Sequence, residues 1–176
     1  MGENQKIRLL SRVAKTRKNQ IGFSVFALLS IAVMIIIFVF SSQKAEDSAA
    51  LSGEFGGFLE KMLSGLEWLL GKNLLLWIKA YLRKIAHFVL YTLLGAFVMA
   101  AMLNTKIEKT AIKVVICAAT GLAYSISDEI HQLFVEGRSG EVRDVLLDFS
   151  GVLSGVVITL VLCKIFQIIA KNRKKA

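Results

Sequence analysis

The sequence predicts an all-α integral membrane protein: a four-helix bundle, both termini cytoplasmic, with an amphipathic helix on the outer face between spans one and two. Three observations carry that fold class. The 176 residues are 55% hydrophobic with a mean hydropathy of +0.61, an average that points to the bilayer. There is no proline, so nothing forces a kink or a break in a long helix. Finally, the 22 Lys and Arg and the 13 Asp and Glu are distributed unevenly along the chain.

Four apolar runs are long enough to be spans. Residues 21–40 hold no charge, and about twenty residues cross a ~30 Å hydrocarbon core. Residues 85–103 are interrupted only by His87, and residues 145–163 carry Asp148 one turn in. Residues 111–127 are shorter and rich in small side chains, with Lys113 near the start. The first run exceeds the usual 7–15 apolar residues of a signal peptide, and Ser41-Ser42-Gln43-Lys44 makes a poor cleavage site, so it reads as an uncleaved anchor.

The basic residues set the orientation. The N-terminal segment 1–20, the loop with Lys106, Lys109 and Lys113, and the tail 164–176 together hold 14 bases and 2 acids; the rest holds 8 bases and 11 acids. The positive-inside rule places the first group in the cytoplasm. The net charge of +9 is thereby a topology signal, and no nucleic-acid partner is implied. Residues 21–163 form one membrane domain between two basic cytoplasmic ends. Cys117 and Cys163 fall in the inner halves of their spans and read as small buried hydrophobes, not as a disulfide.

The outer segment, about residues 48–82, is not a plain loop. Leu51, Phe55, Phe58, Leu59, Met62, Leu63, Leu66, Leu69 and Leu70 recur every three or four residues, while Glu54, Glu60, Lys61 and Glu67 lie mostly off that stripe. Trp68 falls off the apolar face. Such a helix lies in the membrane interface, covers the bundle, or packs on the outer ends of the spans.

The polar side chains of interest gather at the outer ends of spans two to four. Lys84, His87, Tyr91 and Gly95 fall within roughly 80° on a 3.6-residue helix. Tyr124, Asp128, His131 and Gln132 share a face of span three, with Glu129 about 100° from Asp128. Asp144, Asp148, Gly151 and Gly155 run along one line of span four, and Arg138 and Arg143 lie just before it. A carboxylate in a span normally faces a partner or water. His87, His131, Arg138 and Arg143 are available to Asp148. Gly151-x-x-x-Gly155 is a small-residue ridge that lets a neighbouring helix come close, and Gly121 and Ser125 could serve span three similarly.

These pieces resemble the VanZ-like family of bacterial membrane proteins. The resemblance is carried by Ser41-Ser42-Gln43, by Arg83-Lys84-x-x-His87-Phe88-x-x-Tyr91-x-x-x-Gly95, and by Asp128-Glu129-x-His131-Gln132. Arg138, Asp144, Gly151 and Gly155 follow in order. The sequence departs from the family pattern at Asp148, where Asn is common, and at Glu136, where Pro is. The first departure puts in doubt any scheme that needs a neutral amide there. The resemblance implies a multi-pass protein of the bacterial cell membrane, with a link to glycopeptide (teicoplanin-type) resistance. It supplies no reaction.

The residues themselves support several readings. As an enzyme, His87 or His131 is the general base, with Asp128 or Asp144 orienting it and Glu129 completing the catalytic group. Lys84, Tyr91, Gln132, Arg138 and Asp148 then bind substrate, an envelope lipid or lipid-linked wall precursor reached sideways from the outer leaflet. Two His with carboxylates have the ligand types for zinc, but no HExxH or CxxC spacing supports it, so neither metal nor cofactor is assigned. Alternatively, the module binds without catalysis, or the cluster only pins the bundle. Transport ranks last, for want of a broken helix or a midplane charge.

Overall fold

The computed structural model describes residues 3–63 and 72–173, and among these it contains five helices and no strand. They are α1 (Glu3–Ser41), α2 (Ala45–Leu63), α3 (Lys72–Leu103), α4 (Thr110–Gln132) and α5 (Val142–Arg173). Four stretches are long and apolar enough to cross a membrane: Asn19–Ser41, Tyr81–Leu103, Thr110–Gln132 and Val142–Arg173. At 1.5 Å per residue, 23 residues make about 35 Å, enough to span the hydrocarbon core.

Each of these helices outruns its expected span. α4 continues from the expected limit at 127 to Gln132, so Asp128, Glu129, His131 and Gln132 all stand on one continuous helix. α5 carries on from 163 to Arg173 through most of the basic tail. The apolar window alone set the expected limits, whereas a helix ends only where its backbone stops bonding to itself. The expected amphipathic segment 48–82 is described at its two ends. Its first part is α2, its last part belongs to α3, and Leu66, Glu67, Trp68, Leu69 and Leu70 lie outside the described residues.

The tightest packing joins α3 to α5, and glycine permits it. A Cβ on Gly151 would lie 2.7 Å from the Phe88 carbonyl oxygen, and one on Gly155 would overlap the Thr92 carbonyl. Gly95 faces the Val152 backbone in the same way, and Gly121 of α4 receives the Val152 side chain. The small-residue ridge read from the sequence thus seats α5 directly on the α3 backbone. Val33, Ile37, Tyr91, Leu94 and Val152 form the core toward one end of the bundle; Met99, Cys117 and Val156 form it toward the other. Ser125 is buried and donates to the Val145 carbonyl at 3.1 Å. Both cysteines are free.

Outside that core the spans are apolar and bare. Ile21, Leu28, Ile35, Val115, Val157 and Phe166 are among many large hydrophobic side chains left exposed all round the bundle. A water-soluble monomer rarely presents so continuous an apolar exterior, and acyl chains are its natural solvent.

Three connections meet at one end, here called the site end. Arg138 donates from Nε to the Gln43 carbonyl at 2.8 Å and from Nη2 to the Phe40 carbonyl at 3.0 Å, satisfying the carbonyls where α1 ends. The Ala45 N–H donates to the Glu136 carbonyl, and Lys44 pairs with Glu136 at 2.6 Å on the surface. Between them Gly137 takes φ +76°, a conformation other residues rarely adopt. α2 leads from this junction and packs on α3, with Leu51, Phe55 and Phe58 still largely exposed.

Candidate functional site

The polar groups at the site end form a small, mostly buried cluster on three helices. One ligating atom each from His87 of α3, Asp128 of α4 and Asp148 of α5 lie within 4.8 Å of one another. His87 Nδ1 stands 3.8 Å from Asp148 Oδ2, with the carboxylate side chain only 1% exposed. That separation suits an ion pair but is too long for a hydrogen bond. Asp148 Oδ2 and the Tyr91 hydroxyl are both buried without a hydrogen-bond partner.

Neutral donors hold the α4 carboxylates. Ser41 Oγ donates to Asp128 Oδ2 at 2.9 Å, and Gln132 Nε2 donates to the same oxygen at 3.1 Å. Gln132 also reaches Glu129 Oε1 at 3.2 Å, and the backbone N–H of Glu141 donates to Glu129 Oε2 at 2.9 Å. Arg138 Nη1 completes the network by donating to Gln132 Oε1 at 3.3 Å. Burial pushes the Arg138 guanidinium down from its ordinary pKa, and nearby Arg83 adds to that; Asp128 and Glu129 pull it back.

Above this cluster lies a narrow cleft lined by Arg83, Lys84, His87, Glu129, Gln132, Arg138, Asp144, Leu147 and Asp148, with room for about one water molecule. Lys84 Nζ pairs with Asp144 Oδ1 at its side. A second, apolar groove of about 560 Å³ runs between the end of α1, α2 and α3, walled by Phe40, Leu51, Phe55, Leu82, Val89 and Leu90 among others. Arg83 and His87 line both spaces.

Most of the expected residues therefore converge. Lys84, His87, Glu129, Gln132, Arg138, Asp144 and Asp148 line the cleft, and Asp128 sits against its floor. The carboxylate beside His87 is Asp148; the two expected to orient it, Asp128 and Asp144, bond to Ser41 with Gln132 and to Lys84, respectively. Tyr91 is wholly buried beneath His87, its ring 6.4 Å from the imidazole, and does not line the cleft. His131 turns the other way: its Nε2 lies 3.0 Å from Ser42 Oγ and its ring stacks on Phe38 at 4.6 Å. Glu129, about 100° round the helix from Asp128, is buried by the loop that follows α4 and still lines the cleft.

Two participants escaped sequence reasoning. Ser41 reads as a helix-end hydroxyl, yet it reaches across 87 positions to Asp128. Arg83 counts in the sequence only as part of the Arg83-Lys84-x-x-His87 pattern, and that pattern is the signal for its place in the site.

No curated protein and no solved structure matches the chain. The family model VanZ/LLP1 matches residues 26–166, a stretch that contains α2, α3 and α4 whole, most of α5, the C-terminal part of α1 and every residue of the cluster. With four apolar helices long enough to span a bilayer and a family match over most of its length, this chain is a multi-pass membrane protein of the VanZ/LLP1 family.

Proposed function

We propose that the protein acts at the outer face of the bacterial cytoplasmic membrane on an envelope lipid or lipid-linked wall component, with a link to glycopeptide susceptibility. In this reading both termini are cytoplasmic, the site end faces outward, and α2 rests in the outer interface. One observation carries it: a polar cleft lined by three cationic side chains (Arg83, Lys84, Arg138) and three carboxylates (Glu129, Asp144, Asp148) meets an apolar groove at shared residues, Arg83 and His87. That juxtaposition suits an amphiphile, whose chain lies along Leu51, Phe55 and Val89 while an anionic head group meets Arg83 and Lys84. The groove volume falls in the usual range for small-molecule sites.

With no ion bound between His87 and the carboxylates, His87 is the group placed to move a proton. A carboxylate beside Nδ1 favours the tautomer with its proton there and leaves Nε2 to accept one from the head group. The alternative is a module that binds the same amphiphile without turnover. Replacing His87 by Gln separates them: turnover is lost in the first case, and ligand retention persists in both.

The test is a groove-filling variant, Ala86→Trp, since Ala86 lines the apolar groove. Lipid co-extracted with the protein is measured by mass spectrometry, alongside membrane abundance and teicoplanin susceptibility of the host. The reading expects less retained lipid and an altered susceptibility at normal abundance. Unchanged lipid and unchanged susceptibility, with the indole in place, would sink it.

A further inference from the structure

We propose that His87, Asp128 and Asp148 form a divalent-cation site of zinc type. The three ligating atoms come from three helices and already lie within 4.8 Å of one another. A tetrahedral zinc with N and O ligands at about 2.0–2.2 Å sets neighbouring ligand atoms about 3.3 Å apart, so side-chain adjustments on the order of 1 Å close the set.

Two independent features point to a cation there. Asp148 Oδ2 is buried with no hydrogen bond, and the side chain is 99% shielded, which is costly for a carboxylate unless a positive charge meets it. Among the described residues, the only basic side chain within ion-pair distance of Asp148 is His87, and an imidazole carries charge only when protonated. Then there is the way Asp128 is held: both of its hydrogen bonds, from Ser41 and Gln132, end on Oδ2. One oxygen is thus fixed by neighbours and the other is left to ligate, the usual arrangement behind a metal-binding carboxylate.

The chemistry of the set favours zinc over magnesium. Magnesium prefers oxygen ligands and keeps several waters, whereas one imidazole with two carboxylates, beneath a cleft with room for about one water, suits zinc. Three protein ligands leave a coordination position open toward the cleft, as in catalytic and not structural zinc sites. No short sequence motif could reveal the set, because its members stand at 87, 128 and 148. The inference stands whether or not the groove holds a lipid. An ion here makes His87 a ligand and not a base, so the two uses of His87 exclude one another.

The experiment uses the full chain, purified with a histidine-free tag in a phosphate-free detergent and stripped with chelator. Zn²⁺ alone is titrated in competition with a chromophoric chelator, and Co²⁺ is added separately to read its visible spectrum. The expected results are one Zn²⁺ per chain, tetrahedral cobalt bands, and at least a tenfold loss of affinity in both Asp148→Asn and His87→Gln. Glu136→Gln, at the exposed surface pair with Lys44, should leave affinity unchanged. Absence of stoichiometric binding or of cobalt bands in the wild-type chain overturns the proposal, even if the variants fail to fold. Binding that survives both site substitutions overturns it too. Lipid retention in Ala86→Trp is a separate readout, so loss of one reading leaves the other testable.

Discussion

Gly151→Ala tests whether α3 and α5 meet as closely as the bundle requires. The added methyl would sit 2.7 Å from the Phe88 carbonyl oxygen and 3.1 Å from Tyr91 Cβ, where ordinary contact begins at 3.4 Å. A backbone carbonyl cannot swing aside as a side-chain tip can, so the helices must part locally by about 0.7 Å, and overpacking of this kind costs about 1–3 kcal/mol. The same displacement reaches the site. Asp148 lies one turn from Gly151 and His87 adjoins Phe88, so their 3.8 Å separation would open past the ~4 Å limit of an ion pair. The control is Gly53→Ala in α2, where a Cβ meets nothing within 4 Å. There the helix gains about 0.5–1 kcal/mol from replacing glycine. Thermal unfolding in detergent, followed with a thiol-reactive fluorogenic dye in a Cys163→Ser background, reports both. Cys117 is 1% exposed and reacts only when the bundle opens. The midpoint should fall for Gly151→Ala and rise for Gly53→Ala. A Gly151→Ala midpoint at or above the parent would refute the close approach and the site geometry built on it.

Ser41→Ala removes one of the two donors to the buried Asp128 carboxylate and should cost about 1–3 kcal/mol in the same assay. The loss should shrink in an Asp128→Asn background; strict additivity across that double-mutant cycle would show that the bond does not form. Reporter fusions after residues 106 and 173 should report cytoplasm and a fusion after 138 the exterior, following the 14-to-8 division of bases. An exterior signal at the C-terminal fusion would remove the outward-facing site.

Charge and hydropathy along the chain were enough to specify four spanning helices, because a ~30 Å apolar core admits little else than runs of about twenty apolar residues. Family-pattern residues such as Arg83-Lys84-x-x-His87 and Gly151-x-x-x-Gly155 were legible for a related reason: periodicity within one helix is a local property of spacing. What each polar group faces was not. Asp128 and His131 are three residues apart and share a helix face, yet one turns into the cluster with Ser41 while the other stacks on Phe38. Asp144 and Asp148 stand one turn apart, and Lys84 takes the first while His87 faces the second. Those partnerships depend on how far α5 slides along α3, which the glycine contacts with Phe88 and Thr92 fix. A helix presents its side chains by its own rotation, but their partners are set by the register between helices, and register exists only once the bundle has packed.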